Sequence, residues 1–360
     1  MTGIDKSKDD AVLGVLRMLA PGTPLREGLE NILKARTGAL IVIGNSEKVL
    51  KLVDGGFYIN KDYSPAYIYE LAKMDGAIIL SKDLKKILYS NALLIPDPSI
   101  PTSETGTRHK TADRVAKQTG EVVIGISQRR NIITVYMSTG KYILRETPVI
   151  MSEANQALQT LEKYRAVLDD AINNLSVLEL KDIVTLDDVA FVLQRTEMVM
   201  SVAAEIERYI CELGIEGRLL SMQLDELLAN VEEDEFLIIE DYLQDTRETP
   251  EKVLERIRQM SYDDLMSLEN ICRVLGYKGG DSVFDTTVRP KGYRLLSMVP
   301  RLPMNIVRKI TEKFSDFQGI LNASIEELDD VEGVGEVRAR LIKEGLRRIQ
   351  DQIFLDTRRL

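Results

Sequence analysis

Cysteine is scarce in this 360-residue chain: Cys211 and Cys272 stand alone, far apart and in no metal-like spacing. A Cys-rich zinc site is thereby excluded, and the usage fits a reduced cytoplasm. Long apolar runs are missing too. GALIVIG (38–44) falls far short of the roughly 20 residues a membrane span needs, so no membrane partner is expected. The opening MTGIDKSKDDAV lacks the basic and apolar regions of a signal peptide. Excess positive charge is also absent. The formal net charge of -10 argues against a protein coated in nucleic acid. Residues 225–255 hold twelve acids against Arg247 and Lys252, so phosphate chemistry is expected elsewhere. No GxxxxGK[ST] occurs, which rules out a P-loop scaffold. Histidine is rarest of all, with His109 alone.

What is present suggests two or three domains of a soluble globular protein. The first 150 residues alternate helical and strand patterns. Helices are expected over 9–20, 24–35, 65–74 and 108–119. Strands are expected over 39–44, 76–81, 87–95, 121–127, 132–138 and 141–146. The apolar strands predict a sheet covered on both faces, and the turn-like RRNII and STGKY make it mixed rather than all parallel. This is an α/β N-terminal domain, a mixed sheet flanked by helices (1–150).

From Ser152 the spacing changes. Leu158, Leu161, Leu168, Ile172 and Leu175 form a helical stripe. Thr185 and Asp188 read as a capping box with a shorter acid, opening a helix with Val189, Val192 and Leu193 inward. An all-α spine is expected (151–285), plainly a spacer or assembly domain. A last all-α segment (286–360) carries an internal echo: SMVPRLPMNIVRKI and DDVEGVGEVRARLI each place a turn before a helix.

In VEGVGEVRARLI, Gly333, Val334 and Gly335 make a tight turn at a helix start, where free amides and close backbone bind phosphate. Arg338 and Arg340 add charge, partly offset by Glu336. The hairpin is similar to the helix-hairpin-helix motif, which grips the DNA backbone; the alternative is a short packing hairpin. The earlier copy has Pro300-Arg301-Leu302-Pro303 in place of glycines, and proline offers no amide, so a structural role is expected.

Three segments of the α/β domain carry chemistry. KMDGAIIL puts Asp75 at a strand entry before Gly76 and Ala77, where a ligand could lie on bare backbone; a turn aspartate is the alternative. In ETGTRHKTADRVA, Thr107 is the expected N-cap, with Ala112, Val115 and Ala116 inward. Arg108, His109 and Lys110 then crowd a first turn where cations oppose the helix dipole, which an anion would justify. SQRRN adds Ser127, Arg129 and Arg130 at a strand end. Six basic residues between 104 and 130 (Arg108, Lys110, Arg114, Lys117, Arg129, Arg130) predict a cationic pocket for a polyphosphate with a metal ion.

Asp75-Gly76-Ala77 and Arg108-His109-Lys110, with their flanks YELAKMDGAIILS and GTRHKTADRVAKQTG, resemble the two motifs of the diadenylate cyclases. With the spine and hairpin, the chain resembles the bacterial DNA integrity scanning (DisA) family over essentially all its length. The resemblance implies a nucleotidyltransferase that condenses two ATP into cyclic di-AMP, with Mg²⁺ or Mn²⁺. It implies that Asp75 serves the metal and the attacking hydroxyl, and that Gly76, Ala77 and Leu94 line the adenosine site. Thr107, Arg108, His109, Lys110 and Thr111 hold the phosphates, with Ser127 and Arg130 nearby and His109 a phosphate or metal neighbour rather than a proton shuttle. It further implies a homo-octamer with face-to-face cyclase domains, cytoplasmic and nucleoid-associated, whose DNA-facing ends (Gly333, Val334, Gly335, Arg338, Arg340) take branched DNA such as recombination junctions. Lys110 departs from the family arginine and is expected to weaken phosphate positioning. Two other readings stay open: a junction-binding protein that only senses ATP or cyclic di-AMP, and a nucleotidyltransferase with another acceptor.

Overall fold

The computed structural model describes residues 12–244, 248–277, 284 and 286–356. The start of the helix expected from residue 9 and Arg247 of the acidic stretch lie outside them; residues 12–18 are helical and form α1. Two compact units emerge, one from residues 12–155 with Glu207–Ser221, the other from Gln156–Ile206 and residues from Met222 onward.

In the first unit the elements run α2 (Pro24–Lys34), β1 (Ala39–Ile43), α3 (Glu47–Leu50), β2 (Val53–Asp54), β3 (Phe57–Asp62), α4 (Pro65–Leu71), β4 (Ala77–Leu80), β5 (Lys86–Leu94), α5 (Thr107–Thr119), β6 (Val122–Ser127), β7 (Ile132–Met137) and β8 (Gly140–Ile143). The sheet order is β2-β5-β4-β1-β6-β7-β8, with β3 also on β5. Only β1 and β4 among these pairs run parallel, so the sheet is mixed. All five residues of β1 are buried because alternate side chains feed two cores. Ala39, Ile41 and Ile43 pack with Leu25, Leu29 and Ile32 of α2 and Ile68 of α4. Leu40 and Val42 pack with Ala112, Val115 and Ala116 of α5. Helix α2 starts cleanly: Thr23 accepts from the Arg26 amide at 3.2 Å, and proline fills the first helical position. Residues Glu207–Ser221 are tied in by Glu212, which accepts from the Tyr142 hydroxyl at 2.7 Å and from Arg145 at 2.8 Å.

The remaining elements are helical: α6 (Thr147–Lys181), α7 (Leu186–Leu213), α8 (Arg218–Leu227), α9 (Val231–Tyr242), α10 (Pro250–Arg258), α11 (Tyr262–Met266), α12 (Leu268–Val274), α13 (Tyr293–Ser297), α14 (Met304–Lys313), α15 (Phe317–Asn322), α16 (Ile325–Asp329) and α17 (Gly335–Asp356). The Thr185/Asp188 box forms: Asp188 accepts from the Thr185 amide at 2.9 Å and donates its own amide to the Thr185 hydroxyl at 3.4 Å. In the second unit the last five helices share one core, in which Leu296, Val307, Ile310, Leu328, Ala339 and Ile342 are fully buried. A buried charge cluster fastens that core to the spine. Asp241 of α9 accepts the amides of Gly292, Tyr293 and Arg294 at 2.7, 2.7 and 3.1 Å. The Arg294 guanidinium pairs with Glu179 of α6, which also takes the Tyr242 hydroxyl at 2.8 Å. Burial, and then the nearby Glu179 charge, push the Asp241 carboxyl up to about 7.

Candidate nucleotide site and DNA-facing hairpin

Strand register decides which loops meet. Leu40 faces Ala77 across the parallel β1–β4 pair, Ala39 faces Ile126 across β1–β6, and Ala77 faces Ala92 across β4–β5. One end of the sheet therefore gathers Asp75 and Gly76, Gly38, Leu94, and Ser127. Asp75 and Gly76 are exposed, while Ala77 is fully buried. Gly76 holds φ +94°, and a Cβ there would lie 2.8 Å from the Asn91 carbonyl carbon. The bare backbone at this position is thus a steric requirement of β5. Leu94 is buried in the core beneath α5, between exposed Leu93 and Ile95.

Helix α5 reaches the same end of the sheet. Arg108 folds over Gly38 and donates to the Ile126 carbonyl at 3.5 Å. The expected N-cap shifts by one residue: Gly106 holds the extended cap conformation and Thr107 is the first helical residue. Glycine leaves the cap without a side-chain acceptor, and no acid occupies the first turn. Uncapped amides beside Arg108, His109 and Lys110 leave a helix start of the kind that suits an anion. Thr107 is exposed, and Arg108, His109, Lys110 and Thr111 are half-buried. Ser127 is half-buried and its hydroxyl accepts the Arg130 amide at 3.2 Å, while Arg129 and Arg130 are exposed on the β6–β7 turn.

The six expected cations do not form one pocket. Arg114 donates to the Ile100 carbonyl at 3.0 Å, and Lys117 to Asp113 at 2.7 Å and the Pro101 carbonyl at 2.9 Å. Helical phase turns both toward the preceding loop, about 120° and about 180° round the axis from Arg108. Arg108, Arg130 and Lys141 are the cations that act on His109.

His109 is gripped by residues that sequence reasoning missed. Its Nδ1 lies 2.9 Å from the Tyr136 hydroxyl, and its ring lies over Gly125, where a Cβ would come within 3.0 Å of Nδ1. Lys141 pairs with Glu104 at 2.5 Å and holds that carboxyl below its ordinary range. Burial lowers the His109 pKa, with Arg108, Arg130 and Lys141 adding to the effect and Glu104 opposing it. The free imidazole is therefore neutral near pH 7. The available signal was a glycine inside each apolar run, Gly38 before ALIVI and Gly125 within VVIGIS, since strand glycines mark close approach.

At the other candidate site, Gly333, between α16 and α17, and Gly335, the first residue of α17, hold φ +85° and +61°. Val334 is buried between them and donates its amide to the Val331 carbonyl at 2.9 Å. Val337 is 85% exposed, so the tip presents an apolar residue where a monomer gains nothing from it. Arg338 bonds back to the Gly333 carbonyl, and Arg340 pairs with Glu336 at 2.5 Å. Among the described residues no group of three or more His, Cys, Asp or Glu could hold a metal ion, and no helix is long and apolar enough to cross a membrane.

Family models match three stretches: the DisA bacterial checkpoint controller nucleotide-binding region at residues 26–141, its linker region at 144–284, and the helix-hairpin-helix motif at 316–345. The chain is 73% identical over its full length, and that of the relative, to the DNA integrity scanning protein DisA of Acetivibrio thermocellus. Its namesake in Clostridium botulinum (strain Loch Maree) is 58% identical, covering 97% of this chain and 98% of the relative. That of Clostridium kluyveri is 59% identical, covering 98% and 99%.

Proposed function

This chain belongs to the bacterial DNA integrity scanning family, and from that membership we propose that it condenses two ATP into cyclic di-AMP, with branched DNA as the regulating partner. It is a DNA integrity scanning diadenylate cyclase. One observation carries the reaction: strand register gathers Asp75, Gly76 and Ser127 at the sheet end where Arg108 lies over Gly38 and α5 begins uncapped. A triphosphate satisfies what that helix start leaves open, two cations and free amides without an acid.

Each domain holds one ATP, and two domains face each other. The 3′-oxygen of one nucleotide bonds to the α-phosphorus of the other as the bond to the bridging β-oxygen breaks. Pyrophosphate leaves with the electron pair, and the hydroxyl gives up its proton. Asp75 accepts from that hydroxyl. Gly76, Ala77 and Leu94 shape the adenosine side, while Thr107, Arg108, His109, Lys110 and Thr111, with Ser127 and Arg130, steady the phosphates. Positioning and charge neutralisation do most of the catalytic work in such transfers. A lone exposed carboxylate fits Mg²⁺ or Mn²⁺ that is held chiefly by the nucleotide's own phosphates. Such an ion would neutralise charge on the departing pyrophosphate.

The segments 1–150, 151–285 and 286–360 then serve as cyclase, spine and DNA-binding end, in a cytoplasmic, nucleoid-associated octamer. Gly333, Val334, Gly335, Arg338 and Arg340 meet the DNA backbone. Incubating the full chain with ATP and Mg²⁺ or Mn²⁺, and reading products by mass spectrometry, tests the reaction. Cyclic di-AMP is expected from the wild type and none from Asp75→Asn, which keeps nucleotide binding. Nucleotide binding without any cyclic product would instead make the domain a sensor.

A further inference from the structure

The hairpin between α13 and α14 repeats the backbone of the one between α16 and α17. Val299 and Val331 are 1% and 4% exposed, Leu302 and Val334 8% and 3%, and Val307 and Ala339 both 0%. Each pair is thirty-two positions apart. The same turn bond closes both: Leu302 donates to the Val299 carbonyl at 3.2 Å, as Val334 does to Val331 at 2.9 Å. At the position of Gly333 stands Arg301, with φ +62° against +85°.

An arginine in left-handed backbone is uncommon, and glycine at the equivalent site shows that packing alone does not ask for it. Arg301 is exposed and has no ion pair among the described residues. Its neighbours differ: Arg340 pairs with Glu336 at 2.5 Å and Arg348 with Glu344 at 3.9 Å. Arg301 and Pro300 line one groove of about 890 Å³ together with Glu336, Val337 and Arg340 at the start of α17. The first hairpin tip is thus continuous with the start of α17, inside the stretch that matches the helix-hairpin-helix motif. Pro300 and Pro303 stand where the second hairpin has Glu332 and Gly335, so this tip has two amides fewer and one guanidinium more.

We propose that the first hairpin is a second DNA-backbone contact, in which the Arg301 guanidinium takes a phosphate that the second hairpin takes through its glycine backbone. The inference rests on the DNA-binding reading above and reverses the structural role expected for this copy. Arginine suits the task because its planar fork meets phosphate oxygens in pairs.

Arg301→Gly separates contact from packing, since glycine accepts the left-handed backbone without strain. The full-length variant should melt at or above the wild-type temperature. Its affinity for a four-way junction and for linear duplex should fall about eightfold at 0.1 M salt, with the salt slope shallower by ~0.9, as expected for one lost phosphate. Arg301→Lys should keep most of the affinity. Unchanged affinity and slope in Arg301→Gly would overturn the inference while leaving the second hairpin's role intact. That role is checked separately by Gly333→Val, which should weaken binding even when Arg301 is present. A wild-type chain that binds neither DNA would overturn both.

Discussion

The only histidine of the chain, His109, holds its Nδ1 2.9 Å from the hydroxyl of Tyr136, a residue 1% exposed near the end of β7. The pair ties the first turn of α5 to the sheet, so the imidazole cannot move without disturbing a buried phenol. Burial and the Glu104 charge push the Tyr136 hydroxyl above its ordinary range, which keeps it protonated at any physiological pH.

Because the chain has one histidine, its imidazole signals titrate alone in NMR spectra. The midpoint in the nucleotide-free protein should lie below the ordinary value of about 6.5. Glu104→Gln should lower it further, since Glu104 is the group that opposes the depression. A depressed imidazole pKa makes folding more favourable above pH ~6.5, and that contribution is lost as pH falls toward the folded value. A midpoint raised by Glu104→Gln would contradict this electrostatic account.

Two glycines at the site should respond differently to alanine. Gly76→Ala drives a Cβ to 2.8 Å from the Asn91 backbone at φ +94°, and should cost about 2 kcal/mol of stability by thermal or urea unfolding. Gly38→Ala meets only the mobile end of Arg108. Stability should stay within about 0.5 kcal/mol, while ATP affinity falls about tenfold as the guanidinium is displaced. Equal effects on stability would show that Gly38 is a packing residue.

Lys110→Arg should lower the ATP KM by up to about tenfold with kcat little changed, because a fork replaces a point charge at the phosphates. Steady-state kinetics of cyclic di-AMP formation decide this. A large loss of activity would mean that the half-buried Lys110 site is shaped for lysine.

Glu197 of α7 and Glu235 of α9 form a buried carboxyl pair, with Arg258 3.3 Å from Glu235. Burial raises both; Glu197 raises Glu235 further, while the hydrogen bond between them works the other way on Glu197 and favours its ionised form. A carboxyl raised in the fold stabilises below its unfolded pKa and loses that contribution as pH climbs through the folded value. Glu235→Gln should therefore gain about 1 kcal/mol at pH 8, roughly 2–4 °C in Tm, and flatten the decline of Tm with pH. An unchanged slope would place the sensitivity elsewhere.

Much of this was legible in the residues. The apolar runs of β1, β4, β6 and β7, the helical periods of the spine and the Thr185/Asp188 box declared themselves because burial and capping leave a local pattern. Strands β2 and β3 did not. The first has two residues, and FYINKD is exposed along nearly its whole length, so neither shows a core-facing rhythm. At the site, the motifs marked Asp75 and Arg108, but not the hold on His109: Tyr136 and Lys141 face each other across the β7–β8 pair, from a stretch remote in sequence, and Glu104 joins through Lys141. Counting charge also misled. Arg114 and Lys117 lie near Arg108 in sequence yet spend their charge on the 100–101 loop.

The three backbone amides that donate to Asp241 and the Arg294–Glu179 pair bear on modularity. A tandem hairpin looks like a cassette that evolution could move between proteins. Here the first hairpin helix begins on a carboxylate owned by α9, and its arginine is neutralised by α6. Cut away at residue 286, the segment would lose its cap and its counter-charge together. Its heritable unit is the hairpins plus the spine, so a transplanted nucleic-acid module must bring Glu179 and Asp241 with it.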